Sequence, residues 1–250
     1  TYVAWNWKAG TSFTNDASST GIGTIDSAGS FNNTAGFSIV SYTGTGSNGT
    51  IKHGLSTAPE MYITKSLSSA RSWAVYNQNI GNTKAVFLNS TDAQDTDATY
   101  WNSTSPTSSV LSLGTRSEMN HSGENFIAYC FAPKQGYSKF GSYAGNGNAD
   151  GPFTYTGFKP AFVMIKNTSS GSTKWTMCDN KRDGFNDNNH RLFANENEAE
   201  STSNPWEMYS NGFKMTTTGS FVNASGSNYI YMAFAENPLV GSNFVPTTAR

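Results

Sequence analysis

Charge is scarce in this chain. Asp, Glu, Lys and Arg make up 13% of its 250 residues, against about 25% in an average soluble domain. The net charge is −1, and the one adjacent basic pair, Lys181-Arg182, is followed at once by Asp183. No row of phosphates can be neutralised by such a chain, which excludes nucleic-acid binding. Long apolar runs are missing too. The longest, 126–132 and 229–235, hold seven residues each, whereas a membrane-spanning helix needs about 20. With no basic amphipathic stretch either, no membrane insertion is expected. Cysteine occurs only as Cys130 and Cys178, too far apart for a zinc or redox motif. Histidine occurs only as His53, His121 and His190.

What is present is aromatic and polar. Aromatic residues reach 14%, and the polar remainder is mostly Asn, Ser, Thr and Gly. The length fits one large or two small domains, either able to bury a core. The sequence repeats itself. SYTGTG (41–46) recurs as SYAGNG (142–147), and MYITK (61–65) as FVMIK (162–166), each after a proline, Pro59 and Pro160. WAVY (73–76) matches WTMC (175–178), and NHSGENFI (120–127) matches NASGSNYI (223–230). The order is kept and the offset drifts only from 101 to 103, which reads as an internal duplication. YVAWNW (2–7) echoes FIAYCF (126–131). Residues 1–8 therefore read as the final strand of a preceding repeat unit.

Within each unit, short β-branched and aromatic runs alternate with Gly/Ser/Thr/Asn clusters. Strands are expected at 37–42, 50–53, 61–65, 73–76, 85–88, 110–113 and 126–132. Their counterparts are 139–143, 153–155, 162–166, 175–178, 191–193, 212–215 and 229–235. No window carries a capped helical period; residues 92–98 and 196–200 could make a helical turn at most. The fold expected is all-β, two tandem β-sandwich (jelly-roll-like) units from the duplication. Residues 9–35 read as a linker, 36–135 as the first unit, 136–240 as the second, and 241–250 as a C-terminal tail. Trp73 and Trp175 are expected in the core. Cys130 falls opposite Ala233 and Cys178 opposite Tyr76 in the repeat, so a bond between them could not belong to the repeated fold. Two buried free thiols are expected.

The search for chemistry returns little. His121 lies in a turn where its repeat partner is Ala224, and His53 and His190 have no nucleophile or carboxylate motif beside them. Asp92, Asp95 and Asp97, and at the equivalent place Glu196, Glu198 and Glu200, form acidic loops. Neighbours on one loop rarely span the separation of a glycosidase pair, about 5 Å or more. In the loop opening at Asp179-Asn180-Lys181-Arg182, a lysine and His190 fall where a calcium cage needs oxygens; its Asn and Asp residues read as turn formers. Sequons at Asn32, Asn48, Asn89, Asn102, Asn120, Asn167 and Asn223 follow from composition. No catalytic, cofactor-binding or metal residue is assigned, and no cofactor is expected.

Five words carry a resemblance: GFSIVSYTG (36–44), WNSTSPTSSV (101–110), IAYCFA (127–132), GYSKFGSY (136–143) and YMAFAENP (231–238). Together they resemble a family of tailed phages, especially marine ones, whose members look like tail-fibre or other virion structural proteins. That family's domain is functionally uncharacterised, so the resemblance brings no catalytic residue. It implies a virion structural and adhesion component, a tail-fibre or appendage segment at the virion or extracellular surface. Its expected partners are other virion proteins, further copies in a homotrimer, and a host-surface glycan or protein. The alternatives are a capsid or tail decoration protein without a host ligand, and a glycan depolymerase. An enzyme is not expected.

Overall fold

The computed structural model describes residues 4–182, 190–203 and 205–236. The fold is all-β. Among the described residues every strand ladder is antiparallel, and helix is confined to three four-residue turns. The chain divides into two compact units. The first holds Asn6–Leu88 and Gln94–Pro133; the second takes the remaining described residues, including Asn89–Ala93.

In chain order the first unit runs β1 (Thr11–Asn15), α1 (Ala17–Thr20), β2 (Ser27–Asn32), β3 (Phe37–Thr43), β4 (Gly49–Lys52), β5 (Met61–Ser66) and β6 (Ala74–Asn77). It continues through β7 (Lys84–Phe87), β8 (Asp95–Thr96), β9 (Val110–Leu113), α2 (Ser117–Asn120) and β10 (Asn125–Phe131). The large sheet has the order β1-β2-β3-β10-β5-β6-β7-β8, and β4 pairs with β9 in a small sheet. The two-residue period of a strand decides what lies between these layers. Phe126, Ala128 and Cys130 of β10 join Tyr42, Tyr62 and Tyr76 in one buried cluster with Ile51, Leu111 and Leu113 of the small sheet. Trp101 is the pivot of that core. It is fully buried, donates Nε1–H to the Lys84 carbonyl at 2.8 Å and meets Tyr62 edge-on at 4.9 Å. A buried indole needs such a partner for its N–H.

The second unit runs β11 (Ser138–Ala144), β12 (Phe153–Tyr155), β13 (Pro160–Asn167), β14 (Thr176–Asp179), β15 (Leu192–Phe193), β16 (Trp206–Tyr209), β17 (Gly212–Met215), α3 (Ser220–Asn223) and β18 (Asn228–Ala235). Its sheets are β11-β18-β13-β14-β15 and β12-β17-β16. The first of these matches β3-β10-β5-β6-β7 strand for strand. Val163, Ile165, Cys178, Tyr229, Tyr231 and Ala233 of the larger sheet close on Trp206, Met208, Phe213 and Met215 of the smaller. The local chemistry also matches. Tyr42 donates to the Met119 carbonyl at 2.6 Å and Tyr143 to the Val222 carbonyl at 2.7 Å. A β-carbon on Gly44 would lie 2.3 Å from the His121 carbonyl oxygen, and one on Gly145 2.3 Å from that of Ala224. Each glycine lets its turn close against the end of α2 or α3.

Four expectations are corrected. The segment 9–35 is no linker: β1 and β2 form a hairpin, and β2 pairs with β3 from Ser27↔Tyr42 to Asn32↔Phe37. The free edge of β3 supplies the ladder partners that order this polar stretch. Of the strand expected at 1–8, Ala4–Lys8 forms no ladder; Tyr2 and Val3 lie outside the described residues, as does the tail 241–250. The helical turns fall at α1, α2 and α3, while Asp95 and Thr96 form a short strand instead. Finally, Trp175 is buried but Trp73 is only half-buried. Trp73 shares its sheet face with Val75, whereas Ala74 and Tyr76 hold the core face. On the corresponding face of the second unit, Trp5 covers Phe162 edge-on at 5.1 Å.

Candidate functional site

An open groove of about 510 Å³ lies on the first unit, where the hairpin joins the sheet. Its floor is a cross-strand row. Thr14 of β1 pairs with Ala28 of β2, and Ala28 pairs with Ser41 of β3; Thr43 pairs with Asn125 of β10. All of these residues line the groove. The Ser41 hydroxyl donates to the Ala28 carbonyl at 3.1 Å and that of Thr43 to Asn125 Oδ1 at 3.0 Å.

Asp16 and Asp26 border the groove, and α1 fixes both. Asp16 Oδ1 accepts from Ser18 Oγ at 2.7 Å and Ser19 N at 3.0 Å, capping the turn. Those bonds hold the Asp16 carboxyl below its usual pKa. Asp26 Oδ1 accepts from Ala17 N at 2.8 Å. Behind them the buried Asn15 amide donates to the Ile22 carbonyl at 2.9 Å and accepts from Thr20 Oγ1 at 2.8 Å. Leu67, 64% exposed, together with Ala28, Tyr42 and Phe126 gives the groove an apolar part that is the larger share of its lining. Hydroxyls, amides and two carboxylates, with no cation among the lining residues, suit a polar ligand that offers donors, such as a polyhydroxylated one.

The titratable clusters are committed elsewhere. His53 is buried, donates Nε2–H to the Thr107 carbonyl at 3.1 Å, and accepts from Leu55 N through Nδ1 at 3.2 Å. Burial pushes its pKa down to about 4, so the ring is a neutral structural bridge. His121 Nδ1 lies 3.5 Å from Glu124 and His190 Nδ1 lies 3.2 Å from Glu200. Glu124 is the centre of a small network. It takes Arg71 through both oxygens at 2.7 Å, with Ser66 and Ser69 hydroxyls at 2.8 Å. The Arg71 guanidinium beside it, foremost, holds Glu124 down at a pKa of about 2.

The acidic loops are not merely solvated. Asp95 accepts from Tyr100 OH at 2.6 Å, and Arg116 Nη2 donates to the same hydroxyl at 2.9 Å. Arg116 also pairs with Asp97 at 3.3 Å and Glu118 at 3.4 Å. In the other loop, Glu198 pairs with Lys174 and Glu200 with Arg182. Asp179 spends its oxygens on Lys181 N, Arg182 N and Arg182 Nε; residues 183–189 of that loop lie outside the described residues. Among the described residues no group of three or more His, Cys, Asp and Glu is arranged to hold a metal ion, and no helix is long and apolar enough to cross a membrane.

The profile of a domain of unknown function, DUF7483, matches residues 1–238. The chain belongs to the DUF7483 family. No curated protein and no solved structure matches it.

Other features of the DUF7483 chain bear on the sequence reading. Both cysteines are buried thiols outside any disulfide, and burial pushes the Cys130 thiol up to about 12, where it is inert. The sequon residues Asn120, Asn167 and Asn223 are buried and hydrogen-bonded, so the folded chain cannot offer them to a glycosyltransferase. Lys166, matched to Lys65 in the repeat, is fully buried. Its ammonium donates to the Thr91 and Thr173 carbonyls, and burial lowers its pKa to about 8. Both partners being backbone, Lys166 clasps the segment 89–93 rather than serving as a nucleophile. The groove itself escaped the sequence reading. Its Ser, Thr and Asn come from separate segments, and those residue types are common throughout the chain.

Proposed function

We propose that this DUF7483 chain is a structural and adhesion component of a virion, a tail-fibre or appendage segment acting at the extracellular surface, and that the groove is its host contact. The observation that carries the reading is the groove: a cation-free depression in which hydroxyls, amides and two carboxylates are set among apolar side chains, while the titratable clusters of the chain have members that are already paired. Binding surfaces need such fixed hydroxyls and amides; a glycan depolymerase needs two carboxyls facing across a cleft, whereas Asp16 and Asp26 both accept backbone N–H bonds from the α1 turn. The phage-type sequence words support the virion setting. The common strand order of the two units, with the matched Gly44/Gly145 and Tyr42/Tyr143 pairs, supports an origin by duplication. Assembly as a homotrimer with other virion proteins belongs to the same proposal.

The test is binding of the labelled chain to a panel of bacterial cells and to purified virions. Wild type is expected to label the surface of a subset of cells, and the double variant Ser41→Arg/Thr43→Arg is expected to lose that labelling while keeping its circular dichroism. Binding to virions alone would leave a decoration protein in its place. Release of reducing ends from surface polysaccharide would make it a depolymerase.

A further inference from the structure

Four large hydrophobic side chains are exposed among the described residues, and three of them, Phe153, Tyr155 and Tyr209, lie on the small sheet of the second unit. Strand parity puts them on one face. Thr154, Trp206, Met208, Phe213 and Met215 turn inward, so Phe153, Tyr155, Glu207, Tyr209 and Lys214 share the outer side. Tyr155 and Tyr209 pair with Gly212 from opposite sides, and two strand spacings separate their backbones by roughly 10 Å. Gly212 leaves the middle free for a ring. A β-carbon there would lie 2.8 Å from Phe153 Cζ; without one, Phe153 reaches over β17 and meets Tyr209 edge-on at 6.0 Å.

The rings are held in place. Lys139 donates to the Tyr155 carbonyl at 2.8 Å and sets its ammonium 5.3 Å from the Tyr155 ring centre. Tyr209 donates its hydroxyl to Glu207, and Lys214 pairs with Asp150. The fold itself does not ask for this strip, because β4 and β9, in the small sheet of the first unit, carry no aromatic residue. Scattered exposed apolar residues mean nothing, but a row of rings with a charged border has the composition of a recognition surface.

We propose that the Phe153–Tyr155–Tyr209 strip binds the flat C–H face of a pyranose sugar, whose hydroxyl rim is received by Lys214, Glu207 and Asp150. Such a sugar is amphipathic in the same sense as the strip. Its C–H face is apolar, and its hydroxyls both donate and accept, matching a border that holds a cation and carboxylates together. A second copy of the chain fits less well, since the cores of protein interfaces are depleted in Lys, Glu and Asp. The inference names a ligand class for the adhesion reading and rests on it for its setting, but its residues are separate from those of the groove.

The experiment is a glycan array of hexose and N-acetylhexosamine oligosaccharides probed with the full chain, its hits measured by calorimetry. Tyr155→Ala and Tyr209→Ala are each expected to weaken binding roughly fivefold to tenfold, as loss of one stacked ring should. A sugar weakened by Tyr155→Ala or Tyr209→Ala and not by Ser41→Arg/Thr43→Arg is bound at the strip. A sugar with the reverse pattern is bound at the groove and overturns the strip, which separates failure of the one from failure of the other. Because the rings are exposed, melting curves of the variants should overlay wild type. The proposal is overturned if no pyranose binds, if the aromatic variants bind undiminished, or if they change only the sedimenting mass, the mark of a self-association face.

Discussion

At the scale of single residues, the two buried asparagines Asn120 and Asn223 show how a polar chain closes its turns. Asn120 Nδ2 donates to the Ser47 and Gly114 carbonyls at 2.6 and 2.8 Å, and its Oδ1 accepts from Thr45 N at 2.8 Å. Asn223 repeats the arrangement with Asn148, Thr217 and Asn146 at 2.7, 2.8 and 2.9 Å. Both side chains are fully buried, so each replaces water for three backbone groups at once. Removing one strands those groups, and unsatisfied buried partners cost about 1–3 kcal/mol apiece. We expect Asn120→Ala and Asn223→Ala each to lower unfolding free energy by about 3 kcal/mol in urea titrations. Aspartate should rescue little, because a carboxylate cannot donate to the two carbonyls. Rescue by Asp to wild-type stability would show that the donor bonds are unimportant. The repeat singled these residues out, yet as sequons; only their burial reveals them as turn clamps.

At the scale of elements, the β1–β2 hairpin makes the groove, and Gly29 makes the hairpin fit. Gly29 pairs with Val40, and a β-carbon on it would lie 2.2 Å from the Ile39 carbonyl oxygen. Val at this position therefore forces β2 off β3. Hydrogen exchange on Gly29→Val should show β1 and β2 amides losing protection while β10 and β5 keep theirs; undisturbed hairpin protection would refute this account. The central strands were legible because β5, β10, β13 and β18 are apolar runs with strand length. The hairpin was not, since TSFTN and SAGSFN carry no apolar alternation and gain their order from the edge of β3. The helical turns α2 and α3 span four residues each, too short for any period to show. Trp73 and Trp175 match in sequence, but a period of two gives only the face, and what covers that face is decided by distant segments such as the one carrying Trp5. The same limit hides the aromatic strip: Phe153 and Tyr155 fall in the strand expected at 153–155, but Tyr209 lies in β16, for which the sequence pattern gives no strand, and only the neighbouring strands place the three rings outside.

At the scale of the whole molecule, scarcity of charge moves the control of stability onto buried neutral groups. Exposed ion pairs contribute little, so the pH profile should follow His53, Lys166 and the core tyrosines. The folded state holds His53 at about 4, below the ordinary 6.5. Between those values the unfolded chain binds a proton that the folded chain refuses. Stability is thus full above pH 6.5 and falls as pH descends towards 4, by about 3 kcal/mol for such a shift. On the alkaline side, burial raises Tyr42, Tyr62 and Tyr143 well above 10. Their contribution is complete below pH 10 and is lost as the unfolded chain ionises above it. Lys166 adds a rise in between: burial holds it at about 8, below the ordinary 10.5, so within that window the unfolded chain keeps a proton that the folded chain has lost, and stability climbs with pH. Urea midpoints should therefore be level from about pH 6.5 to about pH 8, rise towards about pH 10, and decline below pH 6.5 and once the tyrosines ionise above about pH 10. The acid limb has a specific test. His53→Gln keeps an amide that can donate towards the Thr107 carbonyl but cannot titrate, so the decline between pH 6.5 and 4 should flatten in that variant. If the slope there survives the substitution unchanged, His53 is not its source, and the buried bridge between Leu55 and Thr107 does not govern the acid stability of the chain.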